Sequence, residues 1–137
     1  MTLARTLYSA ALVAAQPLLR RKLARRGVNE PGYLEAIEER FGHYSHAPGQ
    51  GFVWVHAVSL GETRAAGILI AALRSEWARR GCPFRLLLTH GTATGRAEGL
   101  RLLREGDVQV WQPWDTPAAV QRFVRHFRPA LGLIMET

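Results

Sequence analysis

A single cysteine, Cys82, in 137 residues excludes an intrachain disulfide, so no covalent staple holds this chain. Candidate ligands do not stand at the paired spacings that hold zinc, and no resident metal is expected. There is no G-x-G-x-x-G run and no glycine-rich loop ending in Gly-Lys-Ser/Thr, which disfavours ordinary NAD or ATP binding. No organic cofactor is expected either. Internal repeats and low-complexity tracts are absent, which sets aside solenoids and disordered linkers. Negative charge is scarce: 11 Asp+Glu against 18 Lys+Arg leave a formal +7, so the favoured partner is anionic, whether phosphate, nucleic acid or acidic lipid. Aromatic residues are not interleaved along a basic face, so nucleic acid is not the expected partner. A non-enzymatic basic module that binds nucleic acid or anionic membrane is the alternative function, and steeply salt-dependent duplex binding would mark it.

What the chain does have is enough apolar residues, 47%, to close one core at a length short for a two-domain enzyme. Residues 1–26 form an apolar/basic, membrane-associating segment. The stretch 3–19 is mostly apolar and is followed at once by Arg20, Arg21, Lys22, Arg25 and Arg26, a positive run that opposes export as a secretory signal. Its 17 residues sit at the lower limit of a bilayer span and include Pro17, so an interfacial helix and a crossing one are both open. A helix docked on the protein's own core is the bland alternative. Residues 27–51 are expected as a helix and a loop leading into the core. Asn29-Glu30-Pro31 starts the helix, Leu34, Ile37 and Phe41 recur at helical spacing, Gly42 stops it, and 43–51 reads as loop from Ser45, Pro48, Gly49 and Gly51.

From Phe52 onward short apolar runs alternate with helical periodicity. Strands are expected at 52–58, 84–89, 107–111 and 130–135. Helices are expected at 61–79 with Ala65, Leu69, Ala72 and Leu73 on one face, at 94–104, and around Val120, Phe123, Val124 and Phe127. This pattern predicts an α/β fold in 52–137, a Rossmann-like parallel sheet with flanking helices and right-handed crossovers.

Ligands of such sheets collect outside the carboxyl ends of the strands. With strand order 3-2-1-4, Glu62 after the first strand and Glu136 at the end of the fourth face one crevice. Paired carboxylates in a partly dry cleft suit general-base work on a hydroxyl. The same Glu62 closes Ser59-x-x-Glu62, a capping box, and spacing alone does not separate cap from base. The stretch 89–95, with Thr92, Thr94 and Gly95 before a helix, resembles a phosphate cradle, and Arg64 and Arg96 stand in first helical turns beside these loops. His56 and His90 read as hydrogen-bonded core groups.

Four stretches together resemble the amino-terminal domain of bacterial Kdo (3-deoxy-D-manno-octulosonic acid) transferases. They are Glu39-Arg40-Phe41-Gly42, then Trp54-Val55-His56-Ala57-Val58-Ser59-Leu60-Gly61-Glu62-Thr63-Arg64-Ala65, then Thr94-Gly95, and finally Pro113-Trp114-Asp115 through Arg122-Phe123 and Phe127-Arg128-Pro129 to Ile134-Met135-Glu136-Thr137. The resemblance implies the amino-terminal, acceptor-binding domain of a GT-B glycosyltransferase, with Glu62 as the base and Glu136 as a second acid. It also implies Ser59, Gly61, Arg64, Thr92, Thr94, Gly95 and Arg96 as substrate-binding positions. The implied reaction is a metal-independent, inverting transfer from CMP-Kdo to a lipid A precursor in lipopolysaccharide synthesis, at the cytoplasmic face of the inner membrane. Gly91 and Ala93 stand where the family usually has Met and Pro. In the family Glu-Leu-Trp-Pro and a donor-binding domain follow the residues matching Met135-Glu136-Thr137, so this chain alone is expected not to transfer sugar. A glycosyltransferase of the same fold with another acceptor is a further expectation that architecture alone leaves open.

Overall fold

The computed structural model describes residues 3–136. Two helices, α1 (Leu3–Ala14) and α2 (Gln16–Asn29), lead into a four-stranded parallel sheet. The strands are β1 (Val53–Ala57), β2 (Leu86–His90), β3 (Val108–Trp111) and β4 (Leu131–Met135), in the order β3-β2-β1-β4. Helices α3 (Leu60–Arg79), α4 (Ala93–Gly99) and α5 (Pro117–Phe127) make the crossovers. The expected strand order and alternation are therefore observed. The register pairs Val55 with Leu88 on one side and with Leu133 on the other, and Ala57 with Met135.

Successive side chains of a strand point to opposite faces, so each face gathers its own core. Val55, Ala57, Leu86 and Leu88 meet Ala66 and Ile70 of α3 on one face. On the other, Phe52, Leu87 and Val110 meet Phe123 and Phe127 of α5. Truncating any one of these three buried phenylalanines to alanine costs about 3–5 kcal/mol.

α3 buries Thr63, Ala66 and Ile70, whereas Ala72 of the expected face is exposed and Leu69 and Leu73 are only half-buried. Small apolar residues surround most of this helix, so its own periodicity is weak and the sheet selects the face. In α5, Phe123 and Phe127 are buried as expected, but Ala119 takes the third inward position while Val120 and Val124 are exposed. Of the expected 94–104 helix, only Ala93–Gly99 is α-helical, and Leu100–Leu102 tightens into a 3-10 turn.

Two differences lie before the sheet. The apolar leader is not one uniform stretch. α1 ends at Ala14, and Pro17 stands in the first turn of α2, where its missing N–H is harmless. No helix among the described residues is long and apolar enough to cross a membrane. The expected boundary at residue 26 falls inside α2, whose Leu23 packs with Tyr33 and Trp111 in a third core.

The helix expected to end at Gly42 is instead two 3-10 turns, Pro31–Leu34 and Ile37–Phe41. Glu35 is extended and Ala36 is left-handed (φ 45°) between them, so the α-helical ladder cannot continue. Tertiary contacts enforce the break: the Trp111 indole N–H donates to Glu35 O at 2.7 Å. A Cβ at Gly32 would stand 3.2 Å from Ala93 Cβ, so the first turn comes close to α4.

Candidate active site at the carboxyl end of the sheet

The loop between β1 and α3 is built around a capping box. Ser59 is extended (φ −113°, ψ 173°) and its Oγ accepts from Glu62 N at 3.4 Å. Glu62 Oε2 accepts in return from Ser59 N (3.3 Å) and, more closely, from Val58 N (2.6 Å). The capping reading of Ser59-x-x-Glu62 is thus observed directly. It does not consume the carboxylate. Among the described residues no protein donor reaches Oε1 of the half-buried Glu62, so one oxygen orders the loop and the other keeps its lone pairs.

β1 and β4 are hydrogen-bonded neighbours with Ala57 opposite Met135. The ladder ends at that pair, with the exposed Glu136 directly after β4 and Val58, whose N–H holds Glu62, directly after β1. Glu62 stands in the first turn of α3, which follows β1, and Glu136 directly follows the neighbouring strand β4. Thr137, the last residue of the fourth motif stretch, lies outside the described residues.

The 89–95 loop is tied to the same point. Val58 O accepts from Gly91 N (3.1 Å), Thr92 N (3.0 Å) and the Thr92 hydroxyl (3.0 Å). Thr92 Oγ1 also caps α4 by accepting from Gly95 N at 3.1 Å, and it lies 3.4 Å from Thr94 Oγ1. A Cβ on the buried Gly95 would come within 3.1 Å of Val58 O and of Ser59 C, so this glycine lets α4 approach the Glu62 loop. Gly61 is exposed with nothing near its would-be Cβ. Arg64 is exposed and only 3.7 Å from Glu98, a pair that contributes little in water.

Arg96 has a different setting from the one its position suggested. Its guanidinium donates to Glu39 Oε2 at 2.8 Å and lies 4.8 Å from the centre of the Trp111 ring. The same Glu39 oxygen accepts from Trp111 N at 2.8 Å. This buried acid ties the segment before the sheet to the end of β3 and to α4. Its neighbour Arg40 is buried against Trp111, 3.9 Å from the ring centre, and donates to Gly91 O at 3.2 Å. Spacing and periodicity did not single out Glu39 and Arg40; their signal was the acid–base pair directly before Phe41-Gly42.

His90 is fully buried. Its Nδ1 donates to Ala57 O (2.9 Å), its Nε2 lies 3.1 Å from Gln109 Oε1, and burial pushes its pKa down to about 4. His56 contacts Thr89 Oγ1 at 2.8 Å, and burial lowers its pKa too. Both are core histidines, as their strand positions implied.

Fold and site together define an α/β domain with a four-stranded parallel sheet, at whose carboxyl end Glu62 stands in the first turn of α3 and Glu136 follows β4. Comparison with known sequences supplies the family. The sequence model of the 3-deoxy-D-manno-octulosonic-acid transferase (kdotransferase) family matches residues 35–137, and the chain belongs to that family. A 3-deoxy-D-manno-octulosonic acid transferase of Bordetella pertussis is 44% identical over 141 residues, covering 96% of this chain and 32% of its own length. One from Haemophilus influenzae is 30% identical over 136 residues, covering 97% of this chain and 31% of its own. The chain therefore spans about a third of the length of these relatives. No solved structure matches it.

Proposed function

We propose that this chain is the acceptor-binding half of an inverting GT-B glycosyltransferase that moves Kdo from CMP-Kdo to a lipid A precursor, with Glu62 as the base. The observation that carries this reading is the divided Glu62 carboxylate: Oε2 is fixed by two backbone N–H groups while, among the described residues, no donor reaches Oε1. A base held in one orientation by its own helix cap is positioned before substrate arrives. In the proposed step Oε1 takes the proton of the acceptor hydroxyl while that oxygen bonds to the anomeric carbon of Kdo. CMP leaves from the opposite face with the bonding electron pair, which inverts the centre.

Glu136, one register step beyond the Ala57–Met135 pair, is the second acid of the crevice. Ser59 positions Glu62, and Gly61 leaves the start of α3 open to ligand. Arg64, Thr92 and Thr94 offer polar groups to it. Gly95 and Arg96 act on substrate through the loops they hold, by close approach and through Glu39 respectively. Segment 1–26 contacts the cytoplasmic face of the inner membrane, and 52–137 binds acceptor. Leu7, Tyr8, Val13 and Leu18 are exposed on α1 and α2, with Arg21, Lys22 and Arg25 exposed nearby, a composition suited to lying in an anionic interface.

The test is to join residues 1–137 to the carboxyl-terminal domain of a matching kdotransferase and measure Kdo transfer to lipid A precursor. The joined protein is expected to transfer and the chain alone is not. A folded joined protein that binds duplex nucleic acid but transfers nothing would replace this reading with the basic-module alternative.

A further inference from the structure

On the side of β1 away from β4, between α2, the first 3-10 turn and the carboxyl ends of β2 and β3, lies a cavity of about 240 Å³. Lys22, Arg26, Tyr33, Arg40, Gln112 and Trp114 are among its lining residues. Three of these are cationic, and no Asp or Glu lines the cavity. Among the described residues, neither Lys22 nor Arg26 pairs with a carboxylate. Arg26 reaches only the Tyr33 hydroxyl, at 3.5 Å, and lies 5.3 Å from the centre of its ring.

Arg40 is the floor of the cluster, 4% exposed. Its Nη2 is used on Gly91 O, but among the described residues its Nε has no acceptor. The buried Trp114 Nε1 has none either. The adjacent acid, Glu39, is engaged by Arg96 and by Trp111 N. Burial lowers the Arg40 pKa to about 10, which still leaves it cationic at neutral pH. The site thus concentrates positive charge with no carboxylate in its lining, and among the described residues two of its buried donors have no acceptor. Buried donors are normally paired, and an oxyanion with several oxygens supplies both the acceptors and the charge.

We propose that this cavity is a binding site for a phosphate monoester, held by Lys22, Arg26, Arg40 and the Trp114 indole N–H. Three cations match a dianion better than a carboxylate or a phosphodiester. Under the glycosyltransferase reading above, on which this part of the inference rests, the phosphate belongs to the acceptor. The cavity is joined to the base by a short chain of contacts: Gly91 lines it, Gly91 N donates to Val58 O, and Val58 N donates to Glu62. A Cβ on Gly91 would stand 2.8 Å from Val58 Cγ1, so the lining and the base loop are in close contact. This places the anion away from the start of α4, where Thr92 Oγ1 already caps Gly95 N.

The experiment titrates inorganic phosphate into the chain by calorimetry, and separately measures binding to phosphatidylcholine vesicles carrying either phosphatidic acid or phosphatidylglycerol. Variants are Lys22→Gln with Arg26→Gln, Trp114→Phe, and Arg79→Gln as a distant exposed control that pairs with Glu76. Lys22 and Arg26 are exposed, so their loss leaves the fold intact. The double variant is expected to weaken monoester binding roughly tenfold or more, the scale of a lost charged hydrogen bond, with Trp114→Phe weakening it in the same direction and Arg79→Gln leaving it unchanged. Weakening toward inorganic phosphate identifies a free-phosphate site. A preference for phosphatidic acid over phosphatidylglycerol that the double variant abolishes identifies a lipid-borne monoester. Unchanged binding in both arms, or equal weakening by Arg79→Gln, overturns the proposal. None of these readouts depends on sugar transfer, so a failed transfer assay leaves the result standing.

Discussion

Replacing Glu62 with glutamine separates the two roles that its carboxylate combines. The cap uses Oε2 as an acceptor for Val58 N at 2.6 Å and Ser59 N at 3.3 Å. A glutamine amide oxygen occupies the same place and completes the same box, since Gln serves as well as Glu at this position. The stability lost by Glu62→Gln is then limited to the negative charge at the start of α3, about 0.3–1 kcal/mol. Glu62→Ala also leaves the Val58 and Ser59 amides without their acceptor and costs about 1–2 kcal/mol. Transfer responds differently. The amide cannot take the acceptor proton, so Glu62→Gln should lower the transfer rate about 10²–10⁴-fold, the usual range for a lost general base. The assay is Kdo transfer by residues 1–137 joined to a carboxyl-terminal donor domain, read beside urea midpoints of the same proteins. Glu62→Gln retaining transfer within about tenfold of the parent refutes the base assignment. So does a series in which transfer follows stability alone.

Gly99→Ala should destabilise by about 1–3 kcal/mol or more in urea unfolding, because its Cβ would stand 2.2 Å from Gln109 Oε1 and 2.4 Å from His90 Nε2. His90 supplies a pH dependence: its folded pKa of about 4 lies below the roughly 6.5 of an unfolded histidine, so its contribution is complete above pH 6.5. That contribution, about 3 kcal/mol, is lost as pH falls from 6.5 toward 4, and His90→Asn should flatten this part of the stability–pH curve. Asp107 accepts from Leu86 N and Arg104 N, both at 2.7 Å, and pairs with the mostly buried Arg74, so Asp107→Ala should cost about 3–5 kcal/mol by thermal or urea unfolding. Glu39→Ala strands Arg96 and Trp111 N in the same way and should loosen the 3-10 segment, read as faster amide exchange at Trp111.

The sheet was legible because its strands announce themselves. Leu86-Leu87-Leu88 and Val53-Trp54-Val55 are short apolar runs between helical periods, and parallel order with right-handed crossovers leaves few topologies. Ser59-x-x-Glu62 was legible as a cap because its two hydrogen bonds are local and need no tertiary partner. What the sequence did not disclose depends on distant partners. Leu34, Ile37 and Phe41 keep helical spacing, yet Glu35 O is held by the Trp111 indole 76 positions away and the helix breaks there. Arg96 at a helix start reads as an anion ligand until Glu39, 57 positions earlier, takes its guanidinium. Local pattern sets element type, and contacts of long sequence separation decide where an element breaks and whether a charge is free.

The same contrast explains why the segment before the sheet matters to the site. Charged residues rarely sit in a dry interior unless paired, yet Glu39 and Arg40 are adjacent, oppositely charged and both buried, and they do not satisfy each other. Glu39 turns to Arg96 and Trp111 N, while Arg40 turns to Gly91 O and the Trp111 face. One pair therefore holds α4 and the end of β3 with its first member and the β2 loop with its second. That β2 loop is the one whose Gly91 and Thr92 amides grip Val58 O, and Val58 N grips Glu62. A change at Arg40 thus reaches Glu62 through Gly91 and Val58 without touching Glu62 itself. The capping box holds Glu62 at the start of α3, and this buried pair fixes the loop from which the proposed base works.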